Sequence, residues 1–212
     1  MKRKDWIILI TLLLIIALTI ISPYLPGPSS LSSVTNSFHN FYQLLSLPLL
    51  LFIPFGLIWT IRRNRKNCRQ DIKKSLLIPN ALWSVPLTIF ISLFFLSQQL
   101  IKISRNIAIN RSTELIASLE KYKTENGSYP QHIVELIPKY FDKIPKPNVM
   151  GIPNYGYKKQ DNSYKITFEQ NVLLGFNFEV VIYSPTDDYL SDVEHQLLKE
   201  TGKGHWKYYL FD

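Results

Sequence analysis

LLIPNALWSVPLTIFISLFFLSQQLIKISRNIAINRSTELIASLEKYKTENGSYP, residues 76–130, decides the fold. No proline or glycine falls between Pro86 and Gly127. The chain is therefore free to run as one helix from Leu87 to Asn126, about 60 Å at 1.5 Å per residue. A bilayer's hydrocarbon layer is only about 30 Å thick. The apolar first half suits lipid, and the second half must stand in water. There Ala108, Ser112, Leu115, Leu119 and Tyr122 recur at helical spacing, with Ile116 widening the stripe. Five positions are too few for a coiled coil, so the stripe is expected to pack on a sheet of its own domain.

Upstream lie two further apolar blocks, so three transmembrane helices are expected at about 6–24, 41–61 and 76–101. Each approaches the ~20 residues that a crossing requires. Pro48, Pro54 and Pro86 inside them are tolerated in membrane helices and mark kinks. The first block starts after basic residues, as a signal peptide does. It is longer than a signal core, however, and runs into Ser-Pro-Tyr-Leu-Pro without a small-residue cleavage site, so an uncleaved anchor is expected. None of the blocks holds Asp, Glu, Lys, Arg or His, which argues against an ion pathway or coupled pump.

The formal net charge of +8 is confined to two short stretches beside these blocks. Lys2, Arg3 and Lys4 face only Asp5, and the seven basic residues between Arg62 and Lys74 face only Asp71. From Lys102 onward, 14 basic residues balance 14 acidic ones. The basic runs read as cytoplasmic flanks rather than nucleic-acid sites. This places the N-terminus and the 62–74 loop inside and the C-terminal domain outside, in the periplasm or extracellular space. The uncharged Ser- and Pro-rich stretch Ser22–Asn40 reads as a flexible external linker. The single cysteine, Cys68, lies in the basic loop, so domain 102–212 must be stable without a disulfide.

Downstream of the helix, Asn126-Gly127 supplies a C-cap, and Pro130 opens a short helix toward Pro138. A proline-rich irregular run covers Lys143–Pro153. Alternating stretches around Tyr155–Tyr157, Tyr164–Phe168, Phe176–Ile182 and Trp206–Leu210 read as strands, with a turn at Gln170-Asn171. The fold class is thus a membrane protein with three transmembrane helices and an α+β exported domain, a long helix on a three- to four-stranded antiparallel sheet.

The stretch from about Ile107 to Phe168 resembles the C-terminal part of type II secretion major pseudopilins and related type IV pilin-like domains. The resemblance rests on Leu119 and Tyr122, then Glu125-Asn126-Gly127-Ser128-Tyr129-Pro130, Leu136-Ile137-Pro138-Lys139-Tyr140, Ile144-Pro145, Tyr155-Gly156-Tyr157 and Tyr164. It covers under a third of the chain. The basic leader, Gly-Phe-type cleavage point and early helix Glu of that family have no counterpart here, and two membrane helices precede the one feeding the domain. The resemblance implies the fold and an envelope setting related to secretion or pilus-type machinery.

No H-E-x-x-H, G-x-S-x-G, zinc spacing or glycine-rich phosphate loop is present, and His132, His195 and His205 read as structural groups. One acidic cluster, Asp187, Asp188 and Asp192 with Glu194 beside it, is a candidate calcium site, because calcium takes several hard oxygen ligands. Pseudopilins hold calcium in a C-terminal loop, so the resemblance points the same way. Tyr140, Phe141, Tyr155, Tyr157, Tyr189, Trp206, Tyr208 and Tyr209 are candidates for a recognition surface. The expected function is non-enzymatic: a bilayer-anchored envelope protein presenting its domain to another protein or an envelope polymer. The alternative is a membrane-anchored enzyme with an unrecognised site.

Overall fold

The computed structural model describes residues 3–70, 74–173, 176–189 and 198–211. They form six α-helices and five strands: α1 Arg3–Ile21, α2 Ser32–Leu50, α3 Phe52–Gln70, α4 Leu77–Ile91, α5 Ser97–Arg111, α6 Thr113–Asn126, β1 Gly156–Gln160, β2 Ser163–Leu173, β3 Asn177–Tyr183, β4 Lys199–Glu200 and β5 Trp206–Phe211. The chain divides into two compact units. One is Met1–Ser22 with Ser37–Leu100; the other is Pro23–Asn36 with Ile101–Asp212.

Among the described residues, two helices are long and apolar enough to cross a membrane, Arg3–Tyr24 and Leu77–Asn126. The expected middle span is instead a pair, Ser29–Leu50 and Phe52–Gln70, bent by 58°. The break at Leu51 has a local cause. Pro54 has no N–H for the Leu50 carbonyl and its ring crowds that carbonyl, while Pro48 removes another rung nearly two turns earlier. Helix α2 also begins before the expected block and so includes His39, which is buried, contacts the Ile20 carbonyl through Nδ1 at 2.7 Å and meets Gln43. Ile16, Ile20, Ile89 and Leu93 form this unit's core. Gly56 lets α3 approach α4 closely, since a Cβ there would lie 2.8 Å from the Trp83 backbone nitrogen.

The run Leu77–Asn126 is helical over 50 residues, as its lack of internal breakers requires. It is not uniform. Residues Ser92–Leu96 widen into a π turn, and Ser112 interrupts the ladder with its N–H shared between the Ala108 and Ile109 carbonyls. Gly127, at φ 78°, closes α6 in the left-handed cap geometry.

The second unit is an antiparallel sheet in the order β1-β2-β3-β5-β4. Five strands replace the three or four expected, the addition being the two-residue β4. Gln170 and Asn171 are not a turn: they pair with Glu179 and Phe178, and β2 continues to Leu173 past a register shift. The segment opened by Pro130 is a single 3-10 turn, Ile133–Leu136, capped by His132 and Glu135. Leu115 and Leu119 of α6 bury against Tyr164, Ile166, Phe168, Val181 and Trp206, so the stripe does pack on the sheet. Tyr155, Tyr189 and Trp206 are buried and Tyr140, Phe141, Tyr157, Tyr208 and Tyr209 half-buried, so the expected recognition aromatics largely build cores.

The expected linker is also folded. Pro26 bridges to Val149; Gly27 N–H donates to the Asn148 carbonyl at 2.8 Å, and Met150 N–H to the Leu25 carbonyl at 3.0 Å. Thr35 Oγ1 and Asn36 Nδ2 donate to the Met150 and Gly151 carbonyls at 2.9 and 3.0 Å. Pro/Ser composition suggests mobility, but the irregular run 143–153 carries backbone groups outside any sheet that need partners. The strap Pro23–Asn36 supplies them.

Candidate functional site

Alternation along β3 sets the chemistry of both sheet faces. Residues 177, 179 and 181 face α5 and α6, and residues 178, 180 and 182 face away. Glu179 is therefore carried into the helix-facing layer, where it is 2% exposed. A buried carboxylate needs a partner. One turn past Ile101, α5 provides it: Arg105 Nε and Nη2 each donate to a Glu179 oxygen at 2.7 Å. Gln170 Nε2 donates to Glu179 Oε1 at 2.7 Å and to the Ile101 carbonyl at 3.1 Å, while Ser104 Oγ donates to Gln170 Oε1 at 2.5 Å. The Arg105 guanidinium lies 3.7 Å above the Tyr208 ring. From the strap, buried Tyr24 donates its hydroxyl to the Asn171 carbonyl at 3.0 Å.

Such a centre can do little chemistry. Its charges are paired in a two-pronged fork and its amide is engaged at both ends, so it acts as a clamp joining helix, sheet and strap. A second polar node has the same character. Glu120 accepts from the hydroxyls of Tyr129 and Tyr164. Burial and the Glu120 charge push the Tyr129 hydroxyl up to about 12, and burial raises Tyr164 further.

Of the calcium candidates, Asp187 and Asp188 lie among the described residues. Asp187, at φ 55°, accepts through Oδ1 from Tyr189 Oη and from the His205 ring, both at 3.1 Å. The His205 hydrogen bond holds the Asp187 carboxyl below its ordinary value. Asp188 donates its backbone N–H to Ser184 Oγ at 3.2 Å. Asp192, with Glu194 and His195, lies outside the described residues. Among the described residues no three His, Cys, Asp or Glu side chains converge for a metal. His132 caps the 3-10 turn.

The outer sheet face offers a different feature. Ile182 and Val180 are covered by Tyr189, Leu198 and Tyr209. Beyond them, Glu169, Phe178, Val180, Tyr209 and Phe211 line an open groove of about 300 Å³. Phe211 is 57% exposed, and Phe176, two residues before Phe178, is 75% exposed. An aromatic groove with one carboxylate can hold an apolar side chain and attract a cation. Sequence reading missed both the clamp and this groove. The signal for the clamp was present: Glu179 interrupts an apolar strand, and Arg105 interrupts an otherwise uncharged helix stretch between Lys102 and Arg111. No protein-family model matches this chain, and no curated protein or solved structure matches it.

Proposed function

We propose that this chain is a non-enzymatic membrane protein that holds a small α+β domain at a membrane surface and presents it to a protein partner. In this reading α1, the bent pair α2–α3 and the helix from Leu77 are three crossings, with the basic ends of α1 and α3 on the cytoplasmic side. The outer groove then receives an aromatic or aliphatic side chain flanked by a basic group opposite Glu169. A long helix, a glycine cap and an antiparallel sheet in that order are also what the pseudopilin resemblance leads one to expect.

The observation that carries this reading is the strap. Pro23–Asn36 runs from the end of the first apolar helix into the first turn of α2, yet belongs to the same compact unit as Ile101 onward. A domain built from two separated chain segments is suited to stay where it is anchored. A pilin-type subunit, by contrast, leaves the bilayer on a single helix. Intact-mass measurement on protein from native membranes should show the chain uncut apart from loss of Met1. A mature form starting near Leu76 or Ser84, or recovery of the domain in sheared filaments, would overturn the proposal.

A further inference from the structure

Helix α3 does not stop where its apolar residues do. After Ile61 it continues for more than two turns to Gln70. The Asn67 amide then donates to the Lys74 carbonyl at 3.0 Å, so the returning chain is held against the helix. Between them lies a groove of about 560 Å³ lined by Arg62, Arg63, Arg65, Lys66, Arg69 and Lys74, with Trp59, Asn67 and Gln70 completing it. No carboxylate lines it among the described residues. Asp5 lies in the same unit but accepts a hydrogen bond from Ser75 at 2.8 Å.

Arg62, Lys66 and Arg69 fall on one helical face, where like charges repel and weaken the helix. Topogenic charge alone explains a count of basic residues beside an apolar helix. It does not require a concavity, nor a buried guanidinium nitrogen without a partner, and Arg63 Nε is such a nitrogen. Leaving that donor unmatched is unfavourable, so among the described residues the site is short of an acceptor. Several guanidinium groups around one cavity suit an anion with several oxygens, since the planar fork binds phosphate two atoms at a time. Trp59, one turn before Arg63, sets the depth, because indoles favour the headgroup layer.

We propose that this groove binds the phosphate headgroup of an anionic phospholipid, with Arg63 and Arg69 as principal donors. The volume falls in the range of small-ligand sites, and the position at the polar end of an apolar helix puts the phosphates of the surrounding bilayer within reach.

The test uses the full chain in nanodiscs of phosphatidylcholine doped with phosphatidylglycerol, and in detergent with inorganic phosphate. Native mass spectrometry should show retained phosphatidylglycerol in preference to phosphatidylcholine. The triple variant Arg63→Gln/Lys66→Gln/Arg69→Gln should lose that preference by about tenfold or more, while Arg3→Gln/Lys4→Gln should keep it. A photoactivatable phosphatidylglycerol on the unaltered protein should label residues 59–74, which covers the case of a triple variant that does not fold. Equal retention of both lipids, labelling spread evenly over the apolar helices, or displacement of lipid by millimolar inorganic phosphate would each overturn the proposal.

Discussion

Arg105 and Glu179 meet through two hydrogen bonds of 2.7 Å each, with side chains only 8% and 3% exposed. They are 74 residues apart in sequence. Burying such a pair gains little net stability, but removing one partner leaves an uncompensated charge. Glu179→Ala or Arg105→Ala should each destabilise the sheet domain by about 3–5 kcal/mol. The double variant Arg105→Met/Glu179→Leu should recover much of that loss. Denaturant unfolding of the full chain in detergent checks both. If the single and double variants behave alike, the clamp is not a coupled pair.

The strap should contribute measurable stability to the domain. A fragment beginning at Ser104 has a helix and a sheet but lacks Tyr24 and the partners of residues 148–151. It should melt below a version in which residues 23–36 are fused back through a flexible linker. Within the full chain, Tyr24→Phe should cost about 1 kcal/mol for the lost hydrogen bond. Gly151→Ala should cost about 1–3 kcal/mol, because its Cβ would lie 2.6 Å from the Pro23 carbonyl oxygen. Equal melting temperatures for fragment and fusion would show the strap to be energetically idle.

Alkaline pH should unfold the domain cooperatively. Burial raises the hydroxyls of Tyr155, Tyr157 and Tyr164 above the ordinary 10.0, and Tyr129 reaches about 12. Each raised acid binds its proton more tightly folded than unfolded. Their contribution is therefore complete below pH 10 and is lost as pH rises toward about 12 and beyond. Phenolate absorbance and circular dichroism should change together in that window. Independent titration of these tyrosines near 10 with the fold intact would contradict the burial.

The acidic loop invites a direct test. His205→Gln should raise the Asp187 carboxyl toward its ordinary value, since the histidine contact is the largest cause of its depression. NMR titration of the Asp187 carboxyl reads this out. If Asp187, Asp188 and Asp192 hold calcium, millimolar calcium raises the melting temperature by mass action. An unchanged temperature disposes of the site.

Orientation follows from labelling. Asn162 is exposed in the hairpin between β1 and β2, and Cys68 is exposed near the end of α3. An impermeant maleimide applied to intact cells should modify Asn162→Cys and spare Cys68. The reverse pattern would invert the proposed sidedness.

Much of the fold was legible because periodicity is a local property. The breaker-free run to Asn126, its glycine cap and four of the strands follow from neighbouring residues. What failed was non-local. Phe176, Phe178, Val180 and Ile182 name β3 by alternation, yet alternation does not say which side meets a helix. Phe176 is 75% exposed and Glu179 is 2% exposed, the opposite of what apolar content suggests. Arg105 makes the inverted face tolerable, and that pairing cannot be read from either segment alone. Gln170-Asn171 looked like a turn because asparagine favours turns. Paired backbone and the Gln170 contacts to Ile101 and Glu179 override that preference. The basic residues 62–74 were visible as charge, but a groove among them needs the return of Lys74.

The strap also imposes an order on biogenesis. Ser29 and its partner Asn148 are 119 residues apart, and all of α2, α3 and α4 is synthesised between them. Pro23–Asn36 therefore leaves the ribosome with no surface to fold on, and must wait through the synthesis of the intervening helices. Closing so long a loop costs entropy that grows slowly with its length. The sheet can form first from Ile101 onward, with the strap docking last. A chain truncated before residue 148 would reach the membrane with its first connecting segment permanently unpaired, a difference quality-control proteases could read.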